Sequence, residues 1–201
     1  MATLSKTVKI ISFFSLLIFN ASAVFGQAFC SLRDPLATIN QLAPSPATFE
    51  SSVIKIDHRA RDFFIAETGL NMHRQELGYH TIYQVNTPDI IEKNIIHVRP
   101  ESTPWGLIEI AWLLNNQGEL KNFTFQRCRS QYCDLINNKA FKEKLLGIDQ
   151  QALRSFLDES LYDVSTPGKQ HFLPPEGSEP LVAAVLRSAL KAAAIITFLE
   201  G

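Results

Sequence analysis

The stretch Trp105–Arg129, WGLIEIAWLLNNQGELKNFTFQRCR, decides how the rest of this chain is interpreted. Two runs rich in apolar, β-branched and aromatic residues, Trp105–Leu114 and Glu119–Arg127, flank four turn-forming residues at positions 115–118. Apolar runs separated by a short polar turn are typical of a β-hairpin. We therefore expect an antiparallel pair of strands at the centre of a sheet.

The turn also predicts a register for this hairpin and identifies its buried face. If Leu114 lies opposite Glu119, then Ile110 lies opposite Phe123 on one strongly apolar face. A slip of one residue would move every side chain to the other face, so burial should fix the register. We expect this apolar face to form the core, packed against the closing helix near Val185 or Ala189.

The opposite face of the hairpin mixes aromatic, carboxylate, amide and hydroxyl groups. The same register pairs Glu109 with Thr124 on that face, and it also sets Gly106 opposite Arg127. Glu109 is either a surface carboxylate or an acceptor inside a cleft, and the sequence leaves both open. A glycine lets the backbone approach closely, and Arg127 with Arg129 can hold a phosphate, although solvated surface arginines are the alternative. This face is where a ligand is expected.

The segments before the hairpin extend the sheet and add a helix. Further strands are expected at Val53–Ile56, at Tyr79–Val85 and within Ile90–Arg99. Short breaks between successive strands predict an antiparallel meander. Between the first two strands, Asp57 is a suitable N-cap for a helix that ends at Gly69.

The C-terminal third of the chain is predicted to be helical. Two short helices are expected between residues 137 and 158, and Ser178 is placed to cap a closing helix over about Glu179–Leu199. This helix is apolar enough to suggest a membrane span, but Arg187 and Lys191 lie mid-segment, where charge is costly in lipid. The predicted fold class is therefore α+β, an antiparallel meander sheet packed against N-terminal and C-terminal helices, with no transmembrane span in the mature chain.

The N-terminus has the features of a secretory signal peptide. Lys6 and Lys9 precede the apolar run Ile10–Phe19, and small residues follow between positions 21 and 28. An uncleaved anchor is the alternative, because apolar residues continue toward Phe25. We predict a signal peptide over residues 1–28 and a single domain over residues 29–201, in the periplasm or secreted.

Export implies an oxidising compartment, in which cysteines commonly form structural disulfides. The chain contains Cys30, Cys128 and Cys133, and an odd number leaves at least one thiol free or paired between chains. Cys128 could pair either with Cys30, tying the N-terminal arm to the hairpin, or with Cys133. The spacing of Cys128 and Cys133 is neither a redox pair nor a zinc pair, so we expect a structural disulfide.

Composition and missing motifs exclude several functions. The formal net charge is −1 and no run rich in Lys and Arg occurs, so nucleic-acid binding is not expected. The sequence has no phosphate-binding glycine loop, nucleophile elbow or zinc-protease helix motif. His80 and His97 could meet on neighbouring strands, but polar strand positions are the simpler interpretation. We predict no catalytic residue and no metal site.

The order of elements and the central hairpin resemble the FMN-binding domain family, found in periplasmic flavin subunits of the Rnf and sodium-pumping NADH:quinone reductase complexes. The likeness covers roughly Tyr79–Leu199 and rests on the aromatic-Gly pair Trp105-Gly106, the apolar strand, the turn ending in glycine and the second apolar strand. The family continues with a His-x-Glu-Thr type motif, whereas residues 127–130 read Arg-Cys-Arg-Ser. Its flavin-accepting Ser-Gly-Ala-Thr motif is replaced at residues 176–179 by Glu-Gly-Ser-Glu.

The resemblance implies noncovalent FMN binding and electron transfer linked to a membrane redox complex. A flavin needs a surface for ring stacking and a cation or a helix N-terminus for its phosphate. The residues expected to bind it are Trp105, Gly106, Arg127, Arg129 and Ser178. The alternative is a cofactor-free exported binding or assembly module with the same fold.

Overall fold

One five-stranded antiparallel sheet organises the molecule, with strand order β1-β2-β3-β4-β5. The computed structural model describes residues 30–43, 48–73, 76–86 and 93–200, and the predicted signal peptide lies outside them. The strands are β1 (Thr48–Ile56), β2 (Gly78–Asn86), β3 (Asn94–Thr103), β4 (Gly106–Asn115) and β5 (Leu120–Arg127). The helices are α1 (Pro35–Leu42), α2 (His58–Thr68), α3 (Cys133–Ile136), α4 (Lys139–Leu145), α5 (Gln150–Ser155), α6 (Thr166–Phe172) and α7 (Glu179–Glu200). The predicted α+β meander between N-terminal and C-terminal helices is confirmed.

Helix α2 begins and ends at the residues that the sequence predicts. The Asp57 side chain accepts hydrogen bonds from the backbone N–H groups of Arg59 and Ala60, at 2.9 and 3.2 Å. Gly69 ends the helix with φ of 72°, a left-handed conformation that glycine adopts without strain. Local cap chemistry is therefore sufficient to set both ends of this helix.

The central hairpin forms, but its predicted register is wrong. Phe123 lies opposite Trp112, and Ile110 lies opposite Phe125. At the turn, the Asn115 side chain accepts from the backbone N–H of Glu119 at 2.8 Å, and the Asn115 N–H donates to the Glu119 carbonyl at 3.0 Å. This closes a shorter turn than expected. Beyond the turn, β5 carries an extra residue at each of two irregularities.

These irregularities also change the partners of the predicted ligand face. Glu109 lies opposite Arg127 rather than Thr124, and Gly106 lies opposite Thr103 across the β3–β4 turn rather than opposite Arg127. Through most of the hairpin the displacement is two residues, so the side chains there keep the face that the alternation assigned to them. Arg127 is displaced by three residues and therefore moves to the face of Glu109.

Both faces of the central strands are covered, so Glu109 is a buried carboxylate and not a surface one. One face packs against α7 and holds Ile110, Trp112 and Phe123, all fully buried. The other packs against the N-terminal arm, which we define as residues 30–43, including α1. Its apolar cluster comprises Leu32, Ile39, Leu42, Ala43, Tyr83, Val85, Ile96, Val98, Ala111 and Leu113.

Strands β2 and β3 separate part-way along their length. They pair from Val85–Asn94 to Ile82–His97 and no further. Beyond that point the Thr81 N–H donates to the Cys30 carbonyl at 3.2 Å, so the N-terminal arm takes the place of β3. A strand was expected within Ile90–Arg99, but β3 continues beyond Arg99 through Pro100 to Thr103. A proline is tolerated there because β3 has lost its β2 neighbour and is locally an edge strand.

Helix α7 lies across the sheet and is almost entirely enclosed. By length and composition it could cross a membrane, but 89% of its apolar window is buried within the structure. Its residues from Leu181 to Ile196 are all buried. Arg187 and Lys191 are among them, in a position described below.

The disulfide joins Cys128 to Cys133, which selects one of the two pairings that the sequence left open. It connects the end of β5 to the start of α3. Cys30 is a free and buried thiol, and burial raises its pKa above the usual value. The thiol therefore stays protonated at neutral pH.

Candidate functional site

The residues predicted to bind flavin lie in different surroundings. Arg127 is on the sheet face covered by the N-terminal arm, with its guanidinium 3.7 Å from Glu109. Arg129 is exposed beyond the end of β5. Gly106 is exposed in the β3–β4 turn, with φ of 101°. Ser178 precedes α7 and is fully buried, and its hydroxyl donates to the Pro175 carbonyl at 2.6 Å.

Trp105 is half-buried, and Tyr132 lies between it and the segment that precedes α7. Its ring lies edge-on to Tyr132, with centroids 5.9 Å apart. The Tyr132 hydroxyl donates to the Glu176 carbonyl at 3.0 Å. The fold therefore brings Trp105 toward the region of Ser178, but Arg127 faces the other side of the sheet. The five residues do not converge on one flavin-shaped site.

A buried charge network lies where β2 and β3 separate. Alternation along β3 places His97, Arg99 and Glu101 on the face toward α7. Helix α7 brings Arg187 and Lys191 to that face at helical i, i+4 spacing, and all five side chains are buried. Buried charged groups without partners would destabilise the fold, so each of these side chains needs a partner of opposite charge or a hydrogen bond.

Two carboxylates link three cations in a chain of ion pairs. Glu76, just before β2, pairs with Arg99 and accepts from the Lys191 ammonium at 2.9 Å. Lys191 also pairs with Glu101. Glu101 in turn accepts from Arg187 Nε at 3.2 Å. The network therefore holds α7 to the C-terminal end of β3.

The network contains more positive than negative charge. Burial alone would raise the pKa of Glu76, but attraction by Arg99 and Lys191 outweighs it and the pKa lies below its usual value. Glu76 and Glu101 thus face three cations. Within the described residues, Arg99 Nε and one terminal guanidinium nitrogen have no hydrogen-bond partner, although the side chain is fully buried.

His80 and His97 extend the network as a neutral pair. His80 Nε2 lies 2.9 Å from the Glu76 carbonyl oxygen, which can only accept, so this nitrogen carries the proton. His80 Nδ1 then accepts from His97 Nε2 at 3.0 Å. Burial, with Arg99 nearby, lowers the pKa of His80 to about 4. Burial, His80 and Arg99 lower the pKa of His97 well below its usual value. Both imidazoles are therefore uncharged at neutral pH.

A cleft of about 350 Å³ opens beside this network, and we call it the α7 cleft. Four network residues, Glu76, Glu101, Arg187 and Lys191, line it. The other lining residues are Asn71, His73, Pro100, Ser102, Leu107 and Tyr162. Lysine, arginine, amide and hydroxyl groups thus converge on one concave surface, which is the arrangement that a small polar ligand requires.

The loop at the mouth of the α7 cleft has a constrained backbone. Leu161 has φ of 68°, which is unusual for a residue other than glycine. Its carbonyl accepts from Arg187 at 3.3 Å, and the Tyr162 ring lies 4.9 Å from the Arg187 guanidinium carbon. Residues in such conformations cluster at ligand sites, where neighbouring contacts hold them.

A larger depression, of about 650 Å³, lies between the β4–β5 turn and α5. The charged residues that line it are Glu67, Glu119, Asp149 and Arg154. The three carboxylates are exposed and carry no buried partner network. This depression lacks the buried, converging polar groups of the α7 cleft and is the weaker candidate.

Neither the protein-family models nor the curated proteins contain a match to this chain. In the part of the chain that the structure describes, no three His, Cys, Asp or Glu side chains are grouped to hold a metal ion. The sequence interpretation missed Glu76, Arg99 and Glu101. The signal that could have found them is the alternation of polar residues along β3, together with two cations one turn apart in an apolar helix.

Proposed function

We propose that the protein is an exported binding module that holds a small anionic ligand, bearing a carboxylate or phosphate group, in the α7 cleft. Export rests on the signal-peptide features of residues 1–28, and the Cys128–Cys133 disulfide is compatible with it. The proposed anion-binding module is a form of the cofactor-free binding module that the sequence left open as the alternative.

The observation that carries the proposal is the excess of one positive charge in the buried network beside the α7 cleft. Arg99 supplies this excess from behind the cleft wall, because the four charged residues that line the cleft, Glu76, Glu101, Arg187 and Lys191, balance one another. Among the described residues, the ion-pair partners of Arg99, Arg187 and Lys191 are two carboxylates, Glu76 and Glu101. A buried cation without a full counter-charge is unfavourable. An anion that enters the cleft would therefore gain more electrostatic binding energy than it would at an ordinary protein surface. Arginine and lysine together suit both carboxylate and phosphate groups.

Flavin binding and electron transfer to a membrane redox complex stay predictions. FMN carries a phosphate and therefore belongs to the same anion class, but the five residues first expected to bind it do not surround one cavity. A flavin that binds through its phosphate in the α7 cleft would combine the two hypotheses. A change in the visible spectrum of FMN on mixing would report such binding.

The proposal is tested with the mature protein and three probes: inorganic phosphate, succinate and FMN. A bound anion should raise the midpoint of thermal unfolding and give a saturable signal in calorimetry, because it binds only the folded state. Ser102→Asp places a carboxylate in the cleft, beside Arg187, whose guanidinium donates to the Ser102 carbonyl at 3.2 Å. We expect this variant to bind the anions at least tenfold more weakly.

Asn40→Asp is the matched control, because it adds the same charge at an exposed position on α1. It should keep the affinity of the unsubstituted protein. If no probe shifts the midpoint, or if both variants weaken binding equally, the α7 cleft is not an anion site. FMN binding that survives Ser102→Asp would place the flavin elsewhere.

A further inference from the structure

Strand β1 is the edge strand of the sheet, and its outer side is open in the part of the chain that the structure describes. It pairs with β2 over nine consecutive positions without a bulge, and within the described residues no strand lies beyond it. Soluble proteins usually interrupt such edges with proline, bulges or several charges, because exposed backbone groups recruit other strands. Thr48–Ile56 contains no proline, and its charged residues are Glu50 and Lys55.

Both faces of this edge are exposed along most of its length. All six residues from Thr48 to Val53 are exposed, although a strand normally buries alternate side chains. Phe49 and Val53 lie on the face covered elsewhere by the N-terminal arm, because they pair with Val85 and Thr81 of β2. They are 37% and 65% exposed. This strand therefore presents unpaired backbone groups and apolar side chains together.

We propose that β1 pairs antiparallel with β1 of a second copy, centred on Ser51, so that two sheets join into one. A two-fold axis perpendicular to the sheet keeps corresponding faces on the same side, and opposed residues must then share a face. The allowed registers are therefore those centred on a single residue.

Side-chain chemistry distinguishes these registers. Centring on Ser51 places Phe49 of each copy opposite Val53 of the other copy, so this pair occurs twice. It also places each Glu50 opposite Ser52 of the other copy. Centring on Ser52 would oppose Phe49 to Lys55, and centring on Val53 would oppose Phe49 to Asp57. Aromatic–β-branched pairs stabilise neighbouring strands, so the Ser51 register is the one that uses the exposed apolar groups.

The test is a register-specific cross-link in the full mature chain. Under mild oxidation Ser51→Cys should form a covalent dimer on a non-reducing gel, because the two Ser51 positions face each other across the axis. Ser52→Cys is the matched control, since in this register each Ser52 is opposite Glu50. The native cysteines remain in their disulfide or buried, as in the unsubstituted protein.

A second measurement does not depend on oxidation. Light scattering should give the mass of a dimer for the unsubstituted protein and that of a monomer for Val53→Lys, while Leu36→Lys, on the exposed side of α1, should remain dimeric. Circular dichroism checks that the variants are folded. A monomeric mass for the unsubstituted protein without a Ser51→Cys cross-link would overturn the proposal. A cross-link at Ser52→Cys but not Ser51→Cys would overturn the register.

Discussion

His80 and His97 show how a pair of residues makes the fold sensitive to acid. Their single hydrogen bond at 3.0 Å needs one proton between the two nitrogens. A second proton on His80 Nδ1 would set two N–H groups against each other, in a site that already contains Arg99. His97 Nδ1 is buried without a partner within the described residues, so it too gains nothing from protonation. The folded state therefore requires both rings to be neutral.

We expect the free energy of unfolding to fall as the pH drops from about 6.5 to 4. An unfolded histidine titrates near 6.5, whereas burial lowers the pKa of His80 in the folded protein to about 4. Between these values the unfolded chain binds a proton that the folded protein does not, which favours unfolding. At about 1.4 kcal/mol per unit of pKa, His80 alone contributes a loss of order 3 kcal/mol. His97 shifts stability in the same direction.

Urea denaturation at a series of pH values checks this prediction. Below the usual pKa of a glutamate, protonation of Glu76 adds to the loss, because its own pKa is lowered in the folded state. His80→Gln should reduce the slope between pH 6.5 and 4, since an amide keeps a donor but does not titrate there. His58→Gln, which changes an exposed histidine, is the control. An unchanged slope in His80→Gln would contradict this account.

The central hairpin shows which features of an element the sequence can predict. Alternation of apolar residues predicted the strands and their buried face, because burial enforces a period of two. The register was not predictable from that pattern. It depends on the hydrogen bonds of Asn115 in the turn and on extra residues in β5, and neither changes the alternation on β4. The charge network was missed because the strand was expected within Ile90–Arg99, which left Glu101 outside β3.

Truncation of Phe123 should destabilise the protein strongly. Its ring is fully buried, 4.9 Å from the ring of Trp112 between centroids, with the Lys142 ammonium 5.0 Å from its own centroid. Phe123→Ala should cost about 3–5 kcal/mol, because burial is lost and the surrounding helix and strand cannot fully close the cavity. Phe125→Ala, at a half-buried position of the same strand, should cost less. Chemical denaturation of both variants measures the difference, and equal losses would contradict the observed burial.

At the scale of the molecule, the N-terminal arm acts as the second cover of the sheet. Apolar side chains of α1 pack the middle of the arm against the sheet, and polar contacts fix the first residues of the arm to it. The Arg33 guanidinium forms two hydrogen bonds of 2.7 Å with Glu109, a carboxylate with no solvent exposure. The Arg33 N–H donates to Gln126 at 2.8 Å, and the Leu32 N–H donates to the Tyr83 hydroxyl at 3.2 Å. The sequence placed Glu109 on this face, but nothing in the hairpin itself indicated that residues 76 positions earlier would cover it.

Loss of the Arg33 side-chain charge should therefore destabilise the whole domain, although Arg33 is itself 52% exposed. Arg33→Met leaves the fully buried Glu109 carboxylate with Arg127 alone, at 3.7 Å. Removing one partner of a buried ion pair typically costs about 3–5 kcal/mol, and we expect about 3 kcal/mol because Arg127 remains. Arg129→Met, at an exposed position beyond the end of β5, should change stability by less than about 0.5 kcal/mol. The decisive comparison adds Glu109→Met to Arg33→Met. If the cost comes from an unpaired buried carboxylate, the double variant should recover stability in urea denaturation. If it is less stable than Arg33→Met, then Arg33 holds the arm through its packing and backbone contacts instead of its charge.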